Sequence, residues 1–280
     1  GLQGVAIAER AYQHALNYAE ERIQGKRIDS KDGENVAIAQ HPDVQRMLLS
    51  MQSQIHAGRS LSYYAAYMLD RTYQGDEKAK KIVDLLTPVV KSWCTDMACD
   101  VTSTGVQIHG GMGFIEETGA AQYFRDARIT PIYEGTNGIQ AQDLAFRKIL
   151  MDGGAAFALW ADDQKTIIAQ IKTRDEDMAQ SLTSALEDLS AATNFIVKNG
   201  AENMAEIAGV SMPYLNAFGI TAAAIMLGHS AAILMSDDAQ NGDASYKNSK
   251  IRLARFYLSH HLPHAIALAH TVQHGHDFVQ

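Results

Sequence analysis

The residues best suited to chemistry fall in one stretch, Gln107 to Gln140, where helical periodicity lapses and polar side chains gather around glycines. Gly110, Gly111 and Gly113 permit left-handed backbone and close approach of a ligand, and equally suit the end of a helix. Glu134 stands between Tyr133 and Gly135, next to Ile132. A carboxylate partly screened from water by such neighbours holds a proton more tightly, which suits it to abstract a proton near neutral pH. A surface-loop glutamate has the same local sequence, so these residues alone leave both readings open. Arg125 and Asp126, just upstream, read as a charge pair that holds the loop in place.

The flanking elements must position that stretch. Leu2, Val5, Ala8, Tyr12, Leu16, Ala19 and Ile23 recur at helical spacing and end at Gly25, a good cap. Lys26 to Gln40, with Asp29, Ser30, Asp32 and Gly33, reads as a loop. A second helix starts at Pro42 and presents Val44, Met47, Leu48, Met51, Ile55, Leu61, Ala65 and Met68 on one face before Gly75. Glu77 to Leu86 is helical; Thr87-Pro88 predicts a kink or a fresh N-terminus, after which Val89, Trp93, Met97, Val101 and Ile108 continue. Ile139 to Met151 gives one more helix, closed by the linker Asp152-Gly153-Gly154. Beyond it, Asp175 to Lys198, Ser211 to Met235 and Ser245 to His274 predict long helices, with breaks at Gly200 and the polar run Asp237 to Asp243. Hardly any segment alternates with period two. The fold expected is all-α, a helical bundle over residues 1–152 followed by a second over 153–280.

Composition narrows the function classes. A formal charge of −8 disfavours a nucleic-acid partner. No uninterrupted apolar run reaches the roughly 18 residues that span a bilayer, and Ile220 to Met235, interrupted by Gly228, His229 and Ser230, predicts a core helix. Cys94 and Cys99, five residues apart and off a shared helical face, predict unpaired core thiols, a reducing compartment and a cytoplasmic location. The N-terminus enters an amphipathic pattern at once, without a signal or transit peptide pattern. His260 and His264, and His270 and His274, are spaced i, i+4 near His276 and Asp277. Pro263 interrupts the first pair and no His-Glu-x-x-His pattern occurs, so no metal site is expected.

Three ordered motifs resemble the acyl-CoA dehydrogenase family. They are Gln-Ile-His-Gly-Gly-Met-Gly at Gln107 to Gly113, Arg-Asp-Ala-Arg-Ile at Arg125 to Ile129, and Ile-Tyr-Glu-Gly-Thr-Asn-Gly-Ile-Gln at Ile132 to Gln140. Helix order and lengths from Gly1 to about Asp152 are similar to the family's C-terminal helical domain. The remainder resembles an extra helical domain found in the subgroup with enzymes similar to 3-methylmercaptopropionyl-CoA dehydrogenase.

The resemblance implies FAD as cofactor and an acyl-CoA thioester as substrate, with Glu134 as the base that removes the α-proton while a hydride leaves the β-carbon for the flavin. It implies that Tyr133 and Gly135 line the acyl pocket. Thr136 would contact the flavin nucleotide, together with position 138, where Gly138 offers only backbone. Gln107, Gly110 and Gly111 would bind the ADP half of a neighbouring subunit's FAD. Arg22 would reach its pyrophosphate, although Glu-Arg-Ile-Gln-Gly-Lys is one residue short of the common form. His41 matches a further FAD contact, or caps the helix at Pro42. A homodimer or homotetramer follows from shared FAD sites, and an electron-transfer flavoprotein is the implied acceptor, with oxygen as the alternative in an acyl-CoA oxidase on the same fold. A non-catalytic helical interaction module is the rival from another class. The family's N-terminal helical and middle β domains have no candidate here, so the 280-residue chain alone is expected to show little or no turnover. Glu134 is further expected to sit out of bulk solvent, near the groove bordered by the glycine turn.

Overall fold

The computed structural model describes residues 1–29, 33–236 and 243–277; Ser30 and Asp32 of the first loop, and Asp237 to Gly242 of the polar run, lie outside them. In chain order come α1 (Leu2–Glu21), α2 (Pro42–Tyr73), α3 (Glu77–His109), the one-turn α4 (Gly111–Phe114), α5 (Ala120–Ile129), α6 (Asn137–Gln142), α7 (Ala155–Lys172), α8 (Glu176–Asn199), α9 (Met204–Leu234), α10 (Ala244–His260) and α11 (Leu262–His274). Asp143–Leu150 continues α6 as π-helix. The described residues contain no strand, only an isolated bridge between Ile23 and Ala37. The architecture is the all-α one expected.

Several boundaries differ from expectation. The first helix ends at Glu21, not Gly25, because Arg22 turns extended and its carbonyl accepts from Ile38 N–H (2.8 Å) instead of continuing the helix. Thr87-Pro88 starts no new helix: α3 runs through Pro88, which is buried, so the packing around it outweighs one missing backbone donor. Ser245 to His274 is two helices, not one. Pro263 cannot donate to the carbonyl four residues back, and the chain breaks at His261 and restarts with Pro263 in the first turn of α11. Asp76, Asp175 and Asp243 accept from Ala79, Met178 and Tyr246 N–H at the N-termini of α3, α8 and α10.

The helix expected over Ser211 to Met235 begins earlier, at Met204, and contains Pro213. Its 31 residues are long and apolar enough to cross a membrane by length and composition, a longer run than the sequence reading allowed. However, 72% of the apolar window is buried within the bundle, so α9 is accounted for as the central core helix. It packs against α2, α3, α6, α7, α8, α10 and α11. One continuous cluster of buried apolar side chains therefore runs from Val5 to Val272. Gly219 makes the closest joint: a Cβ there would lie 2.3 Å from Trp93 Cγ on α3.

Contacts along α1 fix the orientation of the first bundle. Gly4 lies against Cys94 and Thr95, Gly105 against Ala11, and Tyr18 stacks on His109 (ring centroids 4.5 Å). Thus α1 and α3 run parallel. By contrast α5 runs back, from Tyr123 beside His14 to Arg128 beside Cys99.

Candidate functional site

The loop between α5 and α6 carries Glu134. The N–H groups of Ile132 and Tyr133 both donate to the Ile129 carbonyl (3.0 and 3.1 Å), and Asn137 N–H donates to Pro131 (2.9 Å). Between those ties the chain reverses through two consecutive left-handed residues, Glu134 (φ 55°) and Gly135 (φ 84°). Among the described residues Glu134 is alone in being a non-glycine with positive φ. A left-handed non-glycine costs on the order of 1 kcal/mol or more and persists only where its surroundings enforce it. Thr136 accepts from Ile139 N–H (3.3 Å) and caps α6, and the Gln140 amide donates to the Glu134 carbonyl (3.4 Å). Tyr133 is half-buried, and its hydroxyl donates to Gln3 Oε1 at the head of α1.

Beneath the loop lies a polar hub that the sequence reading did not single out. Lys91 Nζ on α3 donates to the carbonyls of Thr130 (3.1 Å) and Gly135 (2.8 Å) and to Asn137 Oδ1 (2.9 Å). Asn137, 5% exposed, donates from Nδ2 to Asp96 Oδ1 (2.7 Å) and the Ser92 carbonyl (3.1 Å), with Thr95 Oγ1 also in reach (3.0 Å). Burial pushes the Asp96 carboxyl above its ordinary proton affinity, against the opposing Asn137 hydrogen bond. Burial likewise lowers Lys91, while the Asp96 and Glu134 charges oppose that shift. The available signal was spacing: Lys91, Ser92, Thr95 and Asp96 make a polar strip on a helix otherwise buried in apolar contacts.

The Glu134 side chain itself is exposed, and Ile132 beside it is 51% exposed. The screening expected from Tyr133 and Ile132 is therefore not supplied: Ile132 points outward and the Tyr133 hydroxyl is turned to Gln3. The glycine turn is also not beside Glu134. Because α1 and α3 are parallel, Glu134 lies near the start of α1 and Gly110 near its end, roughly 30 Å apart for a helix of this length. The expectation of one shared groove fails on that geometry.

The far end gathers the other candidates. Gly110 (φ 60°, ψ −139°) ends α3 in a conformation open to glycine, and a Cβ on Gly110 or Gly111 would meet nothing within 4 Å. Gly113, by contrast, is fixed by packing: its Cβ would lie 2.3 Å from the Val106 carbonyl oxygen. Gln107 is exposed on the last turn of α3. Arg22, exposed at the end of α1, has no side-chain partner among the described residues. His41 stands at the N-cap of α2 without a side-chain capping bond; its Nε2 bonds the Gln24 carbonyl instead (2.7 Å), so the helix-capping alternative is not realised. Arg125 pairs not with Asp126 but with Glu116, through two contacts of 2.6 and 2.8 Å, bracing the turn after α4. Gly138 lies in the first turn of α6, next to Thr136 Oγ1 (3.9 Å from a Cβ built there).

Other candidate chemistry is accounted for by packing. Among the described residues no cluster of three His, Cys, Asp or Glu could hold a metal ion; His260 stacks on Phe256 and His276 bonds Glu206 (2.8 Å). Cys94 is buried, with its thiol pushed up to about 11 by burial, and Cys99 is half-buried beside Arg128. A groove of about 1070 Å³ between α7 and α8 is lined by residues such as Lys165, Ile168, Lys172 and Glu176, and touches no residue of the Glu134 loop.

Comparison with known proteins gives the family and the fold. The family described as "Acyl-CoA dehydrogenase, C-terminal domain" matches residues 1–149, and "Acetyl-CoA dehydrogenase C-terminal like" matches residues 160–279. A 3-methylmercaptopropionyl-CoA dehydrogenase of Ruegeria pomeroyi is 42% identical over 92% of this chain and 45% of its own length. A broad-specificity linear acyl-CoA dehydrogenase of Mycobacterium tuberculosis is 30% identical over 94% of the chain and 46% of its own. The chain thus spans about half the length of these relatives. Among solved structures, Caenorhabditis elegans ACDH-11 in complex with C11-CoA superposes with a TM-score of 0.75 at 22% identity, over 91% of this chain and 40% of that one, which shows the shared fold. The chain belongs to the acyl-CoA dehydrogenase family.

Proposed function

We propose that this chain forms the C-terminal helical part of an FAD-dependent acyl-CoA dehydrogenase that converts an acyl-CoA thioester to the trans-2-enoyl-CoA, with Glu134 as the α-proton-abstracting base. The observation that carries it is the conformation at Glu134. A carboxylate held left-handed by ties on both sides projects from a fixed point of the backbone, as a base must if it is to meet one C–H bond. Its exposure here requires that water be excluded by surfaces other than those of these 280 residues, and the 3-methylmercaptopropionyl-CoA dehydrogenase relative is about twice as long.

FAD, when bound, supplies the acceptor for the hydride that leaves the β-carbon. The chain's own residues fit such a group at two places. Near Glu134, Thr136 and the Gly138 backbone offer polar contact, while Tyr133 and Gly135 shape the acyl side. At the far end, the open backbone of Gly110 and Gly111 admits a nucleotide closely, Gln107 offers an amide, Arg22 a guanidinium fork suited to phosphate, and His41 a ring already tied to Gln24. A separation near 30 Å is too long for one cofactor to serve both ends comfortably as a single contact patch. We therefore assign the Gly110 end to the FAD of a neighbouring copy, in a homodimer or dimer of dimers. Electrons would pass on to an electron-transfer flavoprotein, in keeping with the dehydrogenase names of both relatives. By itself the chain is expected to turn over little or no substrate.

The test is flavin bleaching in the intact flavoprotein against a panel of acyl-CoA thioesters. Wild type should bleach with at least one of them, and Glu134→Gln should retain FAD without bleaching. Bleaching at wild-type rate by that variant would remove Glu134 from the reaction.

A further inference from the structure

Lys91 is an unusual way to hold a loop. Its ammonium has three protons, and all three are engaged by neutral acceptors: two backbone carbonyls and one amide oxygen. Among the described residues no carboxylate lies within ion-pair distance of it, and the side chain is half-buried. Desolvating a cation is costly unless its donors are all taken up, as they are here. The nearest carboxylates are Asp96, reached through Asn137, and Glu134, one residue from the Gly135 carbonyl that Lys91 grips.

We propose that Lys91 is the positioning residue for Glu134, fixing the left-handed Glu134–Gly135 turn through Thr130, Gly135 and Asn137. The inference rests on the reading of Glu134 as the base. The positioning follows from where the three bonds fall. They anchor the loop before Glu134, just after it and at the start of α6, so the carboxylate cannot swing with the loop.

The experiment uses the intact flavoprotein with Lys91→Met and Lys91→Arg, measured by pre-steady-state flavin reduction with an acyl-CoA that bleaches wild type. For Lys91→Met, kcat should fall about 10- to 100-fold with KM changed less than about threefold. FAD content should match wild type. Lys91→Arg keeps the charge, but its planar fork cannot meet three divergent acceptors, so kcat should fall here too, with KM again changed less than about threefold. If Lys91→Met fails to fold, the Arg variant decides alone: a reduced kcat at a nearly unchanged KM supports the proposal and an unchanged kcat overturns it. A folded, FAD-replete Lys91→Met with wild-type kcat also overturns it. Glu134→Gln run alongside separates the two ideas, since bleaching by that variant would remove the base itself regardless of Lys91.

Discussion

At the scale of single residues, the Glu134 loop trades stability for geometry. The left-handed backbone at Glu134 should be relieved by glycine and worsened by a β-branched side chain. Glu134→Gly is expected to leave unfolding stability unchanged or raise it by about 0.5 kcal/mol, and Glu134→Val to lower it by about 1–2 kcal/mol, in chemical denaturation. A loss on Glu134→Gly equal to that on Glu134→Val would show that the turn is unstrained. Asn137 is the opposite kind of residue, buried and fully committed. Asn137→Ala strips partners from both Lys91 and Asp96 and should cost about 2–3 kcal/mol by the same assay. Glu134 and the glycines were legible in the sequence because they sit in motifs with unusual backbone needs. Lys91 and Asn137 were not: a lysine and an asparagine look like surface residues until the helix beneath the loop is in place.

At the scale of elements, α2 is joined to the C-terminal pair α10 and α11 through two neutral histidines. His56 Nε2 accepts from Lys250 on α10 (3.1 Å), and His261, at the α10–α11 break, bonds Ser50 (3.2 Å). Both are lowered to about 4, chiefly by burial, with Lys250 and Arg59 adding to the effect on His56, and His264 and His260 to that on His261. A histidine whose folded proton affinity lies below the unfolded value near 6.5 favours the folded state above that pH. The contribution is lost as pH falls from about 6.5 towards 4, at roughly 2 kcal/mol for each histidine over the window. Urea melts at pH 7 and pH 4.5 should show this loss, and His261→Gln should flatten the slope; an equal slope in the variant would contradict the assignment. Helix periodicity located these elements well. It failed at their ends, where Pro88 is overridden by packing and Pro263 is not, because the first lies mid-core and the second at a bend that α2 accommodates.

At the scale of the whole molecule, residues 1–152 and 153–280 share one core, and α9 joins them through the notch at Gly219. Gly219→Ala would drive a methyl into Trp93 and should cost about 2–3 kcal/mol, read as one cooperative transition shifted as a unit. The layout also separates the two sets of family motifs to opposite ends of a parallel helix pair, which sequence order could not reveal because α5 folds the chain back along α1 and α3. That separation is what makes a neighbouring copy part of the account. The claim on which everything converges is still a proton transfer at one carboxylate. The most direct measurement is α-proton exchange into D2O, followed by NMR, with an acyl-CoA whose β-position cannot release hydride, on the intact FAD-bound protein. Wild type should wash out the α-proton and Glu134→Gln should not, with FAD equally bound in both; exchange at the same rate in the two proteins would contradict the role of Glu134 as base.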